Sequence, residues 1–404
     1  MANQQSFKQQ RPIVLSASAI STLKACPVKY YNRYILGIRP KEDTESLRMG
    51  NSWHGGQEIM YLKPEQECPW CKDQPLQTCP LCLGTGKIDD PLDAMVRWMN
   101  SRYDTLFPGM PREAKEIERS TILHALFAYR YYYEQQPIDV ITTELPFRIP
   151  LIDPRTRKAI PGVVIGGKLD KLITFANTPS VMEHKSTSDD LAPESGYWGH
   201  LRLDTQSTIY LYACQRLQAD GLLEPYGIKT TDLPVGSVLY DVWRKPQIKP
   251  KKLSQADTAA FVESGKYFDR DFEIETIGEP DHPFTIDGEP CEGERLKSGA
   301  PVIRETPDMF GSRLFDEIQQ QPDRYFARRL LTRTSEEIER FEWELFSLYQ
   351  SIASHIESDS WFHNEHQCDS YGHCDYCQFC FTGQTLDPKK LPAGFVNIFD
   401  KEKK

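Results

Sequence analysis

The chain has 404 residues, of which 39% are hydrophobic and 26% are charged, and its formal net charge is −10. This composition is typical of a globular protein. The acidic charge counts against a protein that coats nucleic acid by bulk electrostatics, but it does not exclude a local basic track. Basic clusters at 244–252 and 324–333 could neutralise phosphates or simply be solvated faces. No apolar run approaches the roughly 20 residues of a membrane span, and the polar start of the chain has no apolar signal region, so we expect a cytoplasmic protein without a membrane partner.

The predicted elements divide the chain into seven parts. Helical periodicity begins after Ser16 and Ser18, either of which could cap a helix. A cap-like start at Thr334 predicts a long helix to Ile356, while residues 276–300 are rich in Gly, Pro, Glu and Asp and predict a long loop. In chain order the parts are an N-terminal helical part (1–62), a cysteine-rich insert (63–90), a second helical region (91–140), a sheet-containing core (141–260), a loop-rich region (261–330), a helix with a second cysteine group (331–387) and a polar tail (388–404).

A strand–turn–strand pattern lies in the predicted core. Residues 166–173 predict a strand, a polar turn follows at 176–180, and the next strand carries Glu183 and Lys185. Residues two apart on a strand leave the same face of the sheet, and the hairpin brings Asp170 near them. Two carboxylates and one amine at a sheet edge suit metal-dependent phosphodiester hydrolysis, because the carboxylates hold Mg²⁺ or Mn²⁺ and the lysine positions water or neutralises charge. The alternative is a solvated strand face with an ion pair.

Further polar residues accompany this hairpin. Gln206 and Tyr210 lie four apart on one face of a helical run, Gly50 and His54 lie upstream, and Glu144 lies in a strand-like segment. In that order the set resembles the RecB-like branch of the PD-(D/E)xK nuclease superfamily, including its AddB-type and CRISPR-associated iron–sulfur members. The matching positions are Cys26-Pro27 with nearby aromatics, Gly50 to His54, Glu144, Gly167 to Asp170, Glu183 to Lys185, and Gln206 to Tyr210.

The resemblance implies a fold and an activity. The fold would be α/β, with a restriction-endonuclease-like core in which a small mixed sheet is flanked by helices, and 141–260 would be the catalytic core. The activity would be metal-dependent cleavage of single-stranded DNA or duplex ends, expected to be exonucleolytic, in DNA recombination, repair or processing. The alternatives are an endonuclease or flap nuclease with the same site, and an inert DNA-binding scaffold subunit. No P-loop motif is present, so a helicase or recombinase partner would supply any unwinding.

Carried over position by position, the resemblance also assigns roles. The implied roles are His54, Asp170 and Glu183 as metal ligands, Lys185 as the catalytic lysine, and Gln206 and Tyr210 as contacts to the DNA backbone near the cut. Glu144 is a weaker carry-over, because it could be the exposed end of a strand. An imidazole among carboxylates makes Mn²⁺ an alternative to Mg²⁺.

The cysteines point to metal sites. Eleven cysteines in a chain without an export signal argue against a disulfide framework. Two C-x2-C pairs in the insert are a strong zinc signal, because four thiolates complete a tetrahedron. The residues are Cys68, Cys71, Cys79 and Cys82. The alternative, four unmetallated cysteines, would leave a short polar loop with no core to hold it.

A second cysteine group lies near the C-terminus. In iron–sulfur members of the family it resembles, one N-terminal and three C-terminal cysteines hold a [4Fe–4S] cluster, and the usual C-terminal spacing is C-x2-C-x5-C. This chain departs from that spacing, because Cys380 follows Cys377 after only two residues. We expect a cluster held by Cys26, Cys368, Cys374 and Cys380, with Cys377 as a substitute ligand. A second zinc site made by the four C-terminal cysteines is the alternative.

Overall fold

The structure is a computed structural model of the chain, and it describes residues 11–71, 77–107, 109–279, 281–370 and 373–400. Residues 1–10 of the predicted N-terminal part, 72–76 of the insert and 401–404 of the predicted tail lie outside that description. None of the described helices is long and apolar enough to cross a membrane.

Strands and helices follow one another along the whole described chain. The strands are β1 (Ile13–Leu15), β2 (Ile38–Pro40), β3 (Asp139–Ile152), β4 (Ala159–Phe175), β5 (Thr178–Thr187), β6 (Ser237–Arg244), β7 (Lys266–Tyr267), β8 (Arg270–Asp271), β9 (Ile274–Thr276), β10 (Phe284–Ile286), β11 (Glu289–Cys291), β12 (Gly293–Arg295), β13 (Pro301–Ile303), β14 (Phe326–Thr332) and β15 (Phe395–Asn397). The α-helices are α1 (Ala17–Ala25), α2 (Pro27–Tyr30), α3 (Glu45–Met60), α4 (Pro91–Thr105), α5 (Arg112–Tyr132), α6 (Thr205–Ala219), α7 (Gln255–Ser264), α8 (Pro307–Gln320), α9 (Pro322–Tyr325), α10 (Ser335–Ser358) and α11 (Cys377–Phe381).

A mixed sheet forms the centre of the molecule. Its strand order is β1-β4-β5-β6-β14, and β3 pairs with β4 outside that path. β4 is antiparallel to β3 and β5, whereas β1 is parallel to β4 and β5 is parallel to β6. Helices cover both faces, with α1, α6 and α10 on one side and α3, α4, α5 and α8 on the other. The predicted α/β class, a small mixed sheet flanked by helices, is therefore confirmed.

Local capping explains where three of the helices begin. The Ser16 hydroxyl accepts a hydrogen bond from Ala19 N at 3.2 Å, so of the two candidate caps it is Ser16 that caps α1. Asp204 caps α6 in the same way through Ser207 N. The predicted capping box of α10 is present, because the side chain of Thr334 and that of its partner three residues later bond reciprocally to the backbone.

The structure differs from the predicted organisation in three places. The hairpin turn is only Ala176-Asn177, both with positive φ (49° and 62°), because residues 178–180, predicted as part of the turn, already pair with β4. The predicted loop at 276–300 contains strands β10 to β12, each too short to show a sequence period. The predicted polar tail contains β15, which pairs with β2 more than 350 residues earlier.

Candidate active site

The two carboxylates of the predicted site lie where the β4–β5 ladder ends. The last residue pair of that ladder is Lys171 with Met182, and Asp170 and Glu183 come next, where the strands part. The backbone N–H of His184, which follows on β5, donates to Asp170 Oδ2 at 2.9 Å. At this point of the sheet, the Asp170 side chain thus accepts the hydrogen bond that a backbone carbonyl of β4 would accept in a continued ladder.

Asp170 is held as an anion by groups from a helix and a strand. Nδ1 of His54, on α3, lies 3.2 Å from Asp170 Oδ2. Burial alone would raise the pKa of Asp170, but the His54 imidazole and the His184 amide outweigh burial and hold the pKa well below its ordinary value. Two of the three predicted metal ligands, His54 and Asp170, are therefore in contact.

Glu183 is almost fully buried and forms an ion pair with Lys185. Its side chain is 1% exposed, and Lys185 Nζ lies 2.5 Å from Glu183 Oε1. Burial and the nearby Asp170 charge raise the pKa of Glu183 to about 7, although Lys185 opposes that shift. Burial would lower the pKa of Lys185, yet the Glu183 carboxylate raises it, so the amine is an ammonium at neutral pH. The alternation of β5 puts both groups on one face, as predicted.

Gln206 joins this ion pair to helix α6. Its amide nitrogen donates to Glu183 Oε1 and to the Tyr210 hydroxyl, each at 2.7 Å, and its carbonyl accepts from Lys185 Nζ at 2.7 Å. The buried Tyr210 hydroxyl in turn donates to the Lys168 carbonyl at 3.0 Å. Both residues therefore belong to the hydrogen-bonded group around Glu183 and Lys185, while their catalytic role and their contact with DNA stay predictions.

Glu144 stands beside the site but is engaged elsewhere. In the pairing of β3 with β4 it lies opposite Asp170, between the pairs Thr143–Lys171 and Leu145–Leu169. Its φ of 54° is unusual for a non-glycine residue, and its carboxylate forms an ion pair with Lys168. The weaker assignment of Glu144 as a site residue stays a prediction.

Glu58 is an acidic residue near the site that the sequence interpretation missed. It lies one helical turn after His54, on the same face of α3. Burial raises the pKa of Glu58, Lys168 and Lys171 lower it, and the charge of Asp170 raises it further. The spacing of four residues after a candidate ligand on a helix was the available signal.

One buried oxygen of Glu183 bears on whether the site can hold a cation. Oε2 of Glu183 has no hydrogen-bond partner within the described ranges, although the side chain is buried. An unpaired carboxylate oxygen beside the ionised Asp170 is the donor chemistry that Mg²⁺ and Mn²⁺ prefer. Asp170 and Glu183 therefore offer the ligand chemistry of a divalent cation, but among the described residues the ligand atoms of His54, Asp170 and Glu183 are not gathered as closely as the insert sulfurs.

The insert cysteines form a tight group. Cys68 and Cys79 sulfurs are 3.7 Å apart, those of Cys71 and Cys82 are 3.2 Å apart, and all four sulfurs lie within 4.8 Å of one another. A tetrahedron with Zn–S bonds of about 2.3 Å separates its sulfurs by about 3.8 Å. The group is buried and fits a single metal ion.

The second cysteine group gathers all five predicted members more loosely. Cys374 N donates to the Cys368 carbonyl at 2.9 Å, and Cys377 Sγ lies 3.3 Å from the same oxygen. Burial, followed by the neighbouring Cys374, Cys26 and the other two cysteines, raises the pKa of Cys380 to about 11. Among the described residues, the sulfurs of this group do not come as close together as those of the insert. The segment around Cys26 and the segment near the C-terminus meet here.

Comparison with known proteins agrees with this arrangement. The family model of the PD-(D/E)XK nuclease superfamily matches residues 14–381, a range that runs from β1 to the last residue of α11. A comparison with curated protein sequences gave no match. The family match includes the whole central sheet, both carboxylates where its β4–β5 ladder ends, and most of the 404 residues. This chain belongs to the PD-(D/E)XK nuclease superfamily.

Proposed function

We propose that this chain is a metal-dependent DNA nuclease of the RecB-like branch that acts as an exonuclease in DNA recombination, repair or processing. The observation that carries the proposal is the partly buried group where β4 and β5 part, in which Lys185 and Gln206 bind the buried Glu183 and Asp170 accepts from the next amide of the same strand. Buried charges are costly, and such a group of perturbed carboxylates in the core of a nuclease-family fold is a candidate catalytic centre.

Three residues would hold the cation. His54, Asp170 and Glu183 supply one nitrogen and carboxylate oxygens, and the unpaired Glu183 oxygen is available to a ligand. Carboxylates with one imidazole accept Mg²⁺ or Mn²⁺. When bound, such a cation lowers the pKa of water and stabilises charge on a phosphate.

The remaining residues orient that chemistry. Lys185 is a partly buried ammonium that can neutralise charge on the scissile phosphate or orient the attacking water. Gln206 fixes Lys185 relative to Glu183, and Tyr210 fixes Gln206. An inert scaffold would have no need of a complete set of this kind, which favours an enzyme.

A groove beside the site supports a nucleic-acid substrate. It has a volume of about 720 Å³, and Gln206 and Tyr210 of the catalytic group are among its lining residues. Lys24, Lys168 and His200 also line it and could contact a sugar–phosphate strand. A helicase or recombinase partner would deliver such a strand.

Two metal centres complete the proposal. The insert cysteines would hold structural zinc, since their spacing suits one tetrahedral ion. Cys26, Cys368, Cys374 and Cys380 would hold a [4Fe–4S] cluster, with Cys377 as the substitute, because a four-iron cluster spaces its ligands more widely than one ion does. Zinc at the second group is the alternative.

A cleavage assay on matched substrates tests the function. Purified protein with Mg²⁺ or Mn²⁺ is incubated with end-labelled linear DNA and the same sequence as a circle, single- or double-stranded, with a branched flap DNA, and with the matching RNA. An exonuclease degrades linear DNA and spares the circle, whereas an endonuclease cuts both and a flap nuclease requires a branched substrate. No cleavage of any of these nucleic acids, with either metal, would favour the scaffold alternative.

A further inference from the structure

A row of ionisable side chains crosses the sheet on the face opposite Glu183 and Lys185. His184 of β5 pairs in register with Asp241 of β6, which pairs in register with Arg328 of β14. Lys171 of β4 extends the row at its other end. Lys171, His184 and Asp241 are each 1% exposed, so the row lies in the core beneath α3 and α5.

Side-chain hydrogen bonds join the row from end to end. Asp241 Oδ2 accepts from His184 Nδ1 at 2.7 Å and from the Tyr129 hydroxyl at 2.9 Å, and Asp241 Oδ1 accepts from Arg328 Nε at 2.8 Å. Arg328 also donates to the Tyr129 hydroxyl at 2.7 Å. Lys171 Nζ bonds to His184 Nε2 on the other side of the ring. The basic cluster at 324–333 thus does not present Arg328 to a phosphate.

Stability alone does not account for such a row. Removing charges from water is expensive, and replacing a buried ion pair by apolar side chains of similar volume is often neutral or stabilising. The surrounding core is apolar and aromatic, with Trp53 and Trp243 stacked at 4.3 Å, so apolar residues would suit these positions. A network that is kept despite this cost is a candidate for a functional role.

The row reaches the active site through the backbone. The N–H of His184 donates to Asp170 Oδ2, and Lys171 is the next residue after Asp170. The His184 ring also lies edge-on to the His54 ring, with centroids 6.3 Å apart. Holding the His184 and Lys171 side chains therefore helps to hold the backbone on both sides of the Asp170 carboxylate, at the point where the β4–β5 pairing ends.

We propose that Asp241 and Arg328 are positioning residues that act through His184 to hold the Asp170 carboxylate in the orientation that binds the catalytic cation. This inference rests on the proposed function for the identity of the ligand, but the hydrogen bond from His184 N to Asp170 does not depend on it. Groups that orient metal ligands from behind commonly affect metal affinity by about 10- to 100-fold when they are changed.

The main test replaces the charged pair by apolar groups of similar size. In Asp241→Leu with Arg328→Met, we expect Mn²⁺ binding by calorimetry at least about 10-fold weaker and faster amide exchange in the peptide that contains His184. The melting temperature should fall, because the buried His184 and Tyr129 donors lose their acceptor. The single variant Arg328→Lys keeps the positive charge beside Asp241 and should retain most of the wild-type affinity for Mn²⁺. Native Mn²⁺ affinity and native amide exchange in the double variant would overturn the proposal.

A milder pair of variants keeps the test informative if the double variant does not fold. Tyr129→Phe removes one hydrogen bond to Asp241, whereas Tyr103→Phe removes a comparable buried bond to Glu118 at 2.7 Å, away from the row. We expect weaker Mn²⁺ binding and faster exchange only in Tyr129→Phe, and equal effects in the two variants would refute the positioning role. If the wild type binds no Mn²⁺ and cleaves nothing, the proposed function fails, while the exchange comparison still decides the inference.

Discussion

The amide nitrogen of Gln206 lies 2.7 Å from Glu183 Oε1. The Glu183 carboxylate therefore accepts from a helix residue, Gln206, as well as from a strand residue, Lys185. The same glutamine accepts from Lys185 through its carbonyl. This shared contact makes the protonation and position of Glu183 depend on α6 as well as on β5, and it defines which changes should remove chemistry without removing the fold.

Neutralising either carboxylate should abolish cleavage. Glu183→Gln and Asp170→Asn keep the side-chain volume but remove a ligand charge, so we expect losses of at least about 100-fold in kcat, with DNA binding and the melting temperature largely retained. Glu294→Gln, an exposed partner of Lys252, is the control and should behave as wild type. Full cleavage by either site variant would show that the active site lies elsewhere.

Two glycines on α3 should respond in opposite ways to alanine. A Cβ at Gly55 would lie 2.3 Å from the Trp98 ring of α4, whereas a Cβ at Gly50 would meet only Ser186 Oγ at 3.6 Å. We expect Gly55→Ala to destabilise by about 1–3 kcal/mol and to lower activity, because α3 carries His54. Gly50→Ala should be neutral or stabilise by up to about 1 kcal/mol. Denaturant unfolding of both variants measures this, and equal effects would contradict the packing.

Removing the insert metal should weaken the active site as well as the insert. Arg97 of α4 donates to the carbonyls of Pro80 and Leu81 at 3.0 and 2.8 Å, which couples the insert to the helix that packs on α3. We expect Cys71→Ser with Cys82→Ser to lose about one zinc per chain, to melt earlier and to cleave more slowly.

Elemental analysis measures the zinc content and thermal melting measures the stability. Cys291→Ser changes a buried cysteine of β11 and is the control, in which the zinc content of the protein should be unchanged. Unchanged zinc content in the double variant would exclude the insert as the site.

The second cysteine group, which consists of Cys26 and the cysteines at 368–380, should give a coloured protein. Anaerobically purified protein is expected to absorb broadly at about 400 nm, as Cys-ligated iron–sulfur centres do. Cys26→Ala should lose both this absorbance and thermal stability, because the cluster closes a very long loop of the chain. Cys214→Ala changes a buried cysteine of α6 and should stay coloured. Colourless wild-type protein with two zinc ions per chain would support the zinc alternative instead.

Stability should fall on mild acidification because of buried histidines. Burial lowers the pKa of His124, and burial together with Lys171 lowers that of His184 to about 4. The unfolded chain protonates these rings at about pH 6.5, so it binds protons first as pH falls. The histidine contribution to the free energy of unfolding is therefore complete above about pH 6.5 and is lost towards the folded pKa.

Glu183, whose pKa is raised to about 7, acts in the opposite sense over the same range, so the histidine effect is measured between matched variants. On going from about pH 7.5 to about pH 5.5, we expect the melting temperature of His124→Gln to fall less than that of His366→Gln, whose side chain is 86% exposed. The same pH difference in both variants would contradict this assignment.

Local patterns in the sequence were sufficient for the parts of this protein that depend on neighbouring residues. The period of two along β5 puts Glu183 and Lys185 on one face, the period of α6 puts Gln206 and Tyr210 on one face, and the short spacing of the insert cysteines brings their sulfurs together. These relations follow from backbone geometry alone, so the sheet-based class and the contacts within the candidate site could be predicted.

Only the tertiary structure decided the relations between distant segments. The approach of Glu58 to Asp170, the pairing of β15 with β2, and the row from Lys171 to Arg328 join segments up to several hundred residues apart. No periodicity records such contacts, because they arise from which faces of the sheet the helices cover and from where its ladders end. Burial lowers the pKa of His184, whereas contacts with His184 and Arg328 outweigh burial and lower the pKa of Asp241. This chemistry therefore follows from packing and not from local sequence.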